Sequence, residues 1–340
     1  MKITLKLTAL AIAATSALFA ASFSLPAAAA DAPVVARVTF DGNIKNNSLA
    51  LSPDESTAVV SYSERPDVVV YDLKKGNVRG VLRTYVTPRN IVFAPDGKSF
   101  YVSDSSLGEV VKVDTANLKP LTHLSAGPGA FGTALNKDGD TLYVNNQATS
   151  TVTRFDTRTD QARAVITGFA QPRQGVRLSP DGSKLYVTNF LGDKVTIVDT
   201  QTDKVEGEIS GFNKIRAISV TADGKTMFAA NSGTNNIAVV DIAKREILST
   251  VAVGKDPYGA ALTPDGQFVY SGNLADNTVS VIEVASLKVV ATITGFKQPR
   301  QAIVFTRDGK LAYVLNEDLS VSTVDRASQK ITSTLSAPKF

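Results

Sequence analysis

The chain has 340 residues, 43% of them apolar, with a formal net charge of +4, a single histidine and no cysteine. That composition is ordinary for a globular protein and leaves out disulfides, cysteine-bound zinc, iron–sulfur clusters and covalently attached haem. It also argues against a globally basic nucleic-acid or membrane binder, because Lys2 and Lys6 belong to a segment expected to be removed, so the remaining charge is close to balanced.

Lys2 and Lys6 precede an apolar run from Leu7 to Phe23, which is followed by Pro26 and the small-residue pattern Ala28-Ala29-Ala30. This order is that of a cleavable secretory signal over residues 1–30, with the mature chain starting at Asp31. Thr15, Ser16 and Ser22 interrupt the run, and no later segment approaches the length of a membrane span. Without a cysteine to carry lipid, or an Arg-Arg pair ahead of the run, a lipoprotein or twin-arginine route is not supported. A soluble periplasmic or secreted protein is expected, with residues 31–340 forming one domain.

From residue 54 onward the chain repeats. A turn Asp recurs at Asp54, Asp96, Asp138, Asp181, Asp223, Asp265 and Asp308, always 42 or 43 residues apart, and in six of the seven Gly follows it, the exception being Glu55. A second acidic position keeps the same phase at Asp72, Asp114, Asp156, Asp199, Asp241, Glu283 and Asp325. The fourth unit shows the content of a repeat: Gly175 to Leu178, the turn Pro180-Asp181-Gly182, Leu185 to Asn189, then Lys194 to Asp199 and Val205 to Ile209. These are four short runs rich in β-branched residues and bounded by turn formers. No helical periodicity competes with them. Seven units of this kind predict an all-β chain folded as a seven-bladed β-propeller of four-stranded antiparallel blades.

Tyr186-Val187-Thr188-Asn189 spells YVTN, and Tyr143-Val144-Asn145-Asn146, Phe228-Ala229-Ala230-Asn231, Tyr270-Ser271-Gly272-Asn273 and Tyr313-Val314-Leu315-Asn316 echo it. Through these segments the chain resembles the YVTN-family seven-bladed β-propeller repeat proteins over nearly all of residues 31–340, with blade one, Val59-Val60-Ser61-Tyr62, departing most. The resemblance is specific for fold and says little about function. At the ends, residues Val34 to Phe40 and Lys330 to Leu335 both look like a fourth strand, and the N-terminal one is expected to pair beside the last blade as a clasp.

Positions common to all blades serve the scaffold, so the turn Asp residues and the terminal Asn of YVTN are expected to bond nearby backbone. The junctions between blades differ. Gly168-Phe169-Ala170-Gln171-Pro172-Arg173-Gln174 recurs as Gly295-Phe296-Lys297-Gln298-Pro299-Arg300-Gln301, Arg89 and Arg216 occupy the related place in blades two and five, and Phe131, Tyr258 and Asn46-Asn47 stand there in the others. The resemblance implies that these junctions share one face close to the central channel. Arg89, Arg173, Gln174, Arg216, Arg300, Gln301, Phe131 and Tyr258 are then a candidate ligand-binding rim, since guanidinium groups fork onto carboxylates and phosphates and stack on rings. A purely structural role, tying blades together, is the competing reading of the same arginines.

The function expected from these residues is that of an exported binding or scaffold protein, a monomer without cofactor or metal, that recognises an anionic small molecule or a protein partner on the inter-blade face. Single-stranded nucleic acid on the same face, with Phe131 and Tyr258 as stacking platforms, is an alternative that the near-balanced charge disfavours. The other alternative is a metal-independent propeller enzyme, lactonase-like or oxidoreductase-associated. The lone His123 and the lack of a nucleophile-elbow, zinc-protease or phosphate-loop motif leave an enzyme the less expected class. Protein recovered from a periplasmic fraction should begin at Asp31, which intact-mass measurement checks. A retained N-terminus, or protein found only in the membrane pellet, would overturn the export expectation.

Overall fold

Each blade passes from its first strand to its second through an Asp-centred turn. In Ser179-Pro180-Asp181-Gly182-Ser183, the Asp181 carboxylate accepts bonds from the Ser179 hydroxyl at 2.5 Å, the Ser183 hydroxyl at 2.9 Å and the Ser183 N–H at 3.1 Å, while Gly182 takes a φ of 75°. The same arrangement repeats around Asp54, Asp223, Asp265 and Asp308. It closes the first hairpin of these blades, and apolar residues then carry the chain through the remaining three strands. The structure, a computed structural model, describes residues 36–40, 45–189 and 191–339. The expected signal segment, and Val34 and Val35 of the expected clasp, lie outside them.

Seven sheets of four antiparallel strands follow in chain order, and every blade is made from one contiguous stretch: residues 47–82, 88–125, 130–166, 172–209, 215–252, 261–293 and 303–335. In blade four the strands are Pro172–Leu178, Lys184–Asn189, Val195–Asp199 and Lys204–Ile209, close to the runs read from the sequence. In all seven blades the pairing of the third and fourth strands shifts register at an equivalent bulge, for example between Ile197 and Val198. A bulge there adds twist and disrupts the outer ladder, which makes the perimeter a poorer template for another chain.

The apolar core lies between blades. Seven clusters of buried side chains each combine residues of two neighbouring blades, and together they cover all seven interfaces. The first residue of the YVTN segment is the recurring insert: Tyr186 of blade four packs with Ile215, Ile218 and Met227 of blade five, and Phe228 of blade five with Val269 and Ile282 of blade six. A buried aromatic of this kind removes roughly 150–250 Å² from water, so each interface is held by a large apolar contribution.

Ring closure differs from the expectation. The last sheet is completed by its own Lys330–Leu335, and residues 36–39 form no strand. The segment instead lies against the loops of blades one and two, with Arg37 paired to Glu64 and the Val38 N–H bonded to the Ser106 hydroxyl at 2.9 Å. The seam between blades seven and one closes through side chains: Leu315, Leu319 and Val321 pack on Leu49, Val60 and Tyr71, and the Tyr71 hydroxyl donates to the Leu319 carbonyl at 2.7 Å. An N-terminal clasp is unnecessary because the fourth strand of blade seven already satisfies the outer ladder.

The Glu55 exception belongs to this seam. In blades two and three the turn Gly sits on the proline before the preceding blade's turn Asp, and a Cβ on Gly139 would lie 2.6 Å from Pro95 Cδ, so only glycine fits there. At the seam the facing residue is Arg307, whose backbone N–H donates to the Glu55 carboxylate and whose guanidinium donates to the Pro53 carbonyl. Glu55 holds a φ of 57°, a strained value for a residue with a Cβ, and gains a bond across the closing interface.

Removing residues up to 40 should change stability by no more than ~1 kcal/mol, since the pairs that the described residues 36–40 make are exposed, whereas Leu319→Ala should cost about 2–5 kcal/mol. Denaturant unfolding of both variants checks the side-chain account of closure. Hydroxyl and backbone donors hold Asp54 and Asp181 at about 2, below the ordinary 3.8. Because their folded pKa is depressed, their contribution is complete above about 4 and is lost as pH falls through about 2. Melting temperature should therefore be level from neutrality to about pH 4 and fall below it, with Asp181→Asn flattening that fall in a calorimetric series.

Candidate functional site

The inner strands begin at the inter-blade junctions, so the side chains there converge on one end of the central channel. The Asn of the YVTN segment fixes this geometry. Asn189 accepts from the Ala170 N–H at 2.8 Å, and Asn316 accepts from the Lys297 N–H at 2.8 Å, so each ties its second strand to the junction that precedes the same blade. In blade two Asp104 takes the role, accepting from the N–H groups of Val86 and Thr87 at 2.7 and 2.8 Å.

The four junction arginines divide into two pairs. Arg89 is 1% exposed, donates through Nε to the Ser105 hydroxyl at 2.8 Å and through Nη1 to Asn46 Oδ1 at 2.7 Å, and stacks on Phe131 at 4.6 Å. It joins blades one, two and three. Arg300, 3% exposed, donates to the Lys45 carbonyl at 3.0 Å and lies over Tyr258 at 4.9 Å, joining blade seven to blades one and six. These two are struts, and neither reaches the cavity at the channel mouth. Arg173 and Arg216 do line it. Arg216 is half-buried, donates through Nε to the Ser232 hydroxyl at 2.9 Å, and stacks on Tyr258 at 4.3 Å, with its Nη1 buried and unpaired.

Phe131 and Tyr258 are buried, at 2% and 7% exposure, and carry guanidinium groups over their faces. Neither is an open platform for a nucleic-acid base. Gln301 also lines the cavity and donates to the Asn47 carbonyl at 2.9 Å across the closing seam. Gln174 lies on the inner strand Pro172–Leu178. His123 is exposed on the outer strand of blade two, 3.0 Å from Glu109, and is not among the residues that line the cavity.

The cavity at the mouth has a volume of about 180 Å³. Its lining includes Arg173, Arg177, Arg216 and Lys45, and no carboxylate among the described residues. Lys45 has a partner 3.6 Å away in Glu64. Gln147 and Arg177, two polar residues of the lining, were not singled out from the sequence. Gln147, directly after the second strand of blade three, is 2% exposed, and neither its Oε1 nor its Nε2 has a partner. A buried amide left with both its acceptor and its donors unmet is costly, which marks where a ligand or ordered water would bond. Arg177, on the inner strand of blade four, lies deeper in the channel; the sequence signal for it was a charged residue where the other blades place small apolar or hydroxyl residues.

No curated protein matches the chain. Among solved structures it is similar to the hydrazine synthase of Kuenenia stuttgartiensis, with a TM-score of 0.76 and 21% identity over 82% of this chain and 95% of that one, a likeness that speaks for the fold alone. The family model described as Lactonase, 7-bladed beta-propeller, matches residues 43–210 and again residues 198–300, well over half of the sequence between them, and the chain belongs to that family.

Proposed function

We propose that the protein is an exported propeller of the YVTN type that binds a small anionic ligand at the mouth of its central channel. The observation that carries this reading is the cavity lined by Arg173, Arg177 and Arg216, with no carboxylate among the described lining residues and with the unpartnered Gln147 amide beside them. Guanidinium groups in a partly enclosed site favour a carboxylate or phosphate, because forked, charge-assisted bonds replace the water lost on entry. The stacking of Arg216 on Tyr258 supports affinity in a second way, by fixing the side chain before the ligand arrives. Single-stranded nucleic acid fits less well, since the rings that would stack its bases are already covered.

A second reading is hydrolysis of a lactone, favoured by the family match. The same guanidinium groups would then face the lactone carbonyl and the carboxylate released from it. A panel of small carboxylates and phosphates, titrated calorimetrically at constant ionic strength, tests the binding reading, and a pH-stat assay with simple lactones tests the hydrolytic one. Arg216→Ala should leave the melting temperature nearly unchanged and weaken an anion found in the panel by about 1.5–3 kcal/mol. Arg89→Ala should instead destabilise the fold by a similar amount, about 1.5–3 kcal/mol, by stranding its buried partners. Stability loss in Arg216→Ala without loss of affinity would place any ligand elsewhere.

A further inference from the structure

In blades one, two and five the residue directly after the second strand is a serine whose hydroxyl accepts a bond from the junction of the same blade. Ser63 accepts from the Asn46 N–H at 3.1 Å, Ser105 from Arg89 Nε at 2.8 Å and Ser232 from Arg216 Nε at 2.9 Å. Blade three places Gln147 at this position and Phe131 at its junction, so the longer side chain meets a ring that offers it no bond. The backbone of Gln147 is nevertheless fixed. Its N–H donates to the Gly129 carbonyl at 2.9 Å, and Gly129 holds a φ of 88° where a Cβ would lie 2.7 Å from the Ala148 nitrogen.

The side chain of Gln147 is 2% exposed, and among the described residues neither its oxygen nor its nitrogen has a partner. The two atoms need different things. The nitrogen can donate to any anion, but the oxygen has to receive an N–H or O–H, and an ionised carboxylate is an acceptor only. A plain anion held by the guanidinium groups would therefore leave half of this amide unmet. One ligand group answers both halves together, a primary carboxamide, whose C=O and N–H lie side by side as those of Gln147 do. Ile91, Val92 and Ala217 add aliphatic surface to the same cavity, which suits a short methylene spacer. With no carboxylate among the described lining residues, an ammonium group on the ligand would find repulsion rather than a partner.

We propose that the ligand of the channel mouth is a short ω-amido acid, with its carboxylate on the Arg216 guanidinium and its terminal carboxamide on Gln147. This assignment rests on the anion reading of the mouth and adds to it a second recognition element, on blade three, that chooses among anions. Arg216 Nη1, buried and unpaired, is the donor left for the carboxylate once Nε is taken by Ser232. An unmet buried amide costs the free protein stability, and meeting it only when the ligand arrives converts that cost into discrimination. Sites built to bond a particular donor reject analogues that lack it far more strongly than apolar pockets reject an extra methylene.

Calorimetric titration at constant ionic strength compares succinamate with isocaproate, its apolar isostere, and with γ-hydroxybutyrate, which carries a hydroxyl instead of the amide. Succinamate should bind ~10-fold or more tightly than isocaproate, and more tightly than γ-hydroxybutyrate. Gln147→Met should fold, because the buried amide has no partner to strand, and should erase the preference for succinamate over isocaproate. Gln147→Ser, the residue of blades one, two and five, gives the same test if the methionine variant is unstable. Arg216→Ala should weaken both acids and keep their ratio. Crystals of the succinamate complex should show the ligand amide on Gln147. The carboxamide assignment is overturned, and the anion reading left standing, if the two acids bind wild type equally, if γ-hydroxybutyrate binds best, or if the preference survives in the Gln147 variants. An ordered water alone on Gln147 in the complex has the same meaning. Binding of none of the three acids overturns both readings.

Discussion

The apolar contacts between blades are what the rest of this fold depends on. A four-stranded antiparallel sheet of this size buries little by itself, and here the Tyr or Phe that opens the YVTN segment in six blades, and Val59 in blade one, completes the core with the following blade. No blade is finished until its neighbour is in place. The ring is therefore the cooperative unit, and the turns, bulges and Asn ties serve to present seven similar wedges at the same angle. This also explains why the scaffold tolerates variation at the junctions: the interface is held further out, by aromatic and aliphatic side chains, and leaves the inner ends of the strands free to differ.

The junctions use that freedom in two ways. Arg89 and Arg300 are turned sideways into neighbouring blades, where ring faces and carbonyl oxygens receive them. Arg173, Arg177 and Arg216 face the lumen. A single aromatic can serve both purposes, since Tyr258 lies between Arg216 of the cavity and Arg300 of the strut pair. The mouth of the channel is thus tied mechanically to the blade interfaces beneath it, and occupancy of the cavity and rigidity of blades five, six and seven draw on the same stacked side chains.

Much of the architecture was legible because a repeat states itself seven times. The Asp-Gly turns, the strand limits of blade four and the divergent junctions all stand in the sequence, and the structure places them where their chemistry suggests. The division of the arginines was not legible, because it depends on partners one blade away, such as Asn46 beside Arg89, whose proximity exists only once the blades are side by side. The closing strand was misjudged for a related reason: residues 34–40 resemble an outer strand in composition, yet the outer edge of blade seven was already filled. Gln147 carries no sequence signal, being an ordinary polar residue after a strand. Arg177 did carry one, as the charged member of a level that is otherwise Ala, Val and Ser.

Blades built from contiguous segments, with no strand exchanged between the two ends among the described residues, make the seam an interface like the other six except that no peptide bond crosses it. Chain connectivity and ring geometry are consequently independent. Ser336 lies beside Tyr71, on the third strand of blade one, so the end of the last blade rests against the first. Linking the end of blade seven to the start of blade one and cutting the chain at another junction would yield a circular permutant with every sheet intact, and the order of the blades along the gene would be a matter of history rather than of folding.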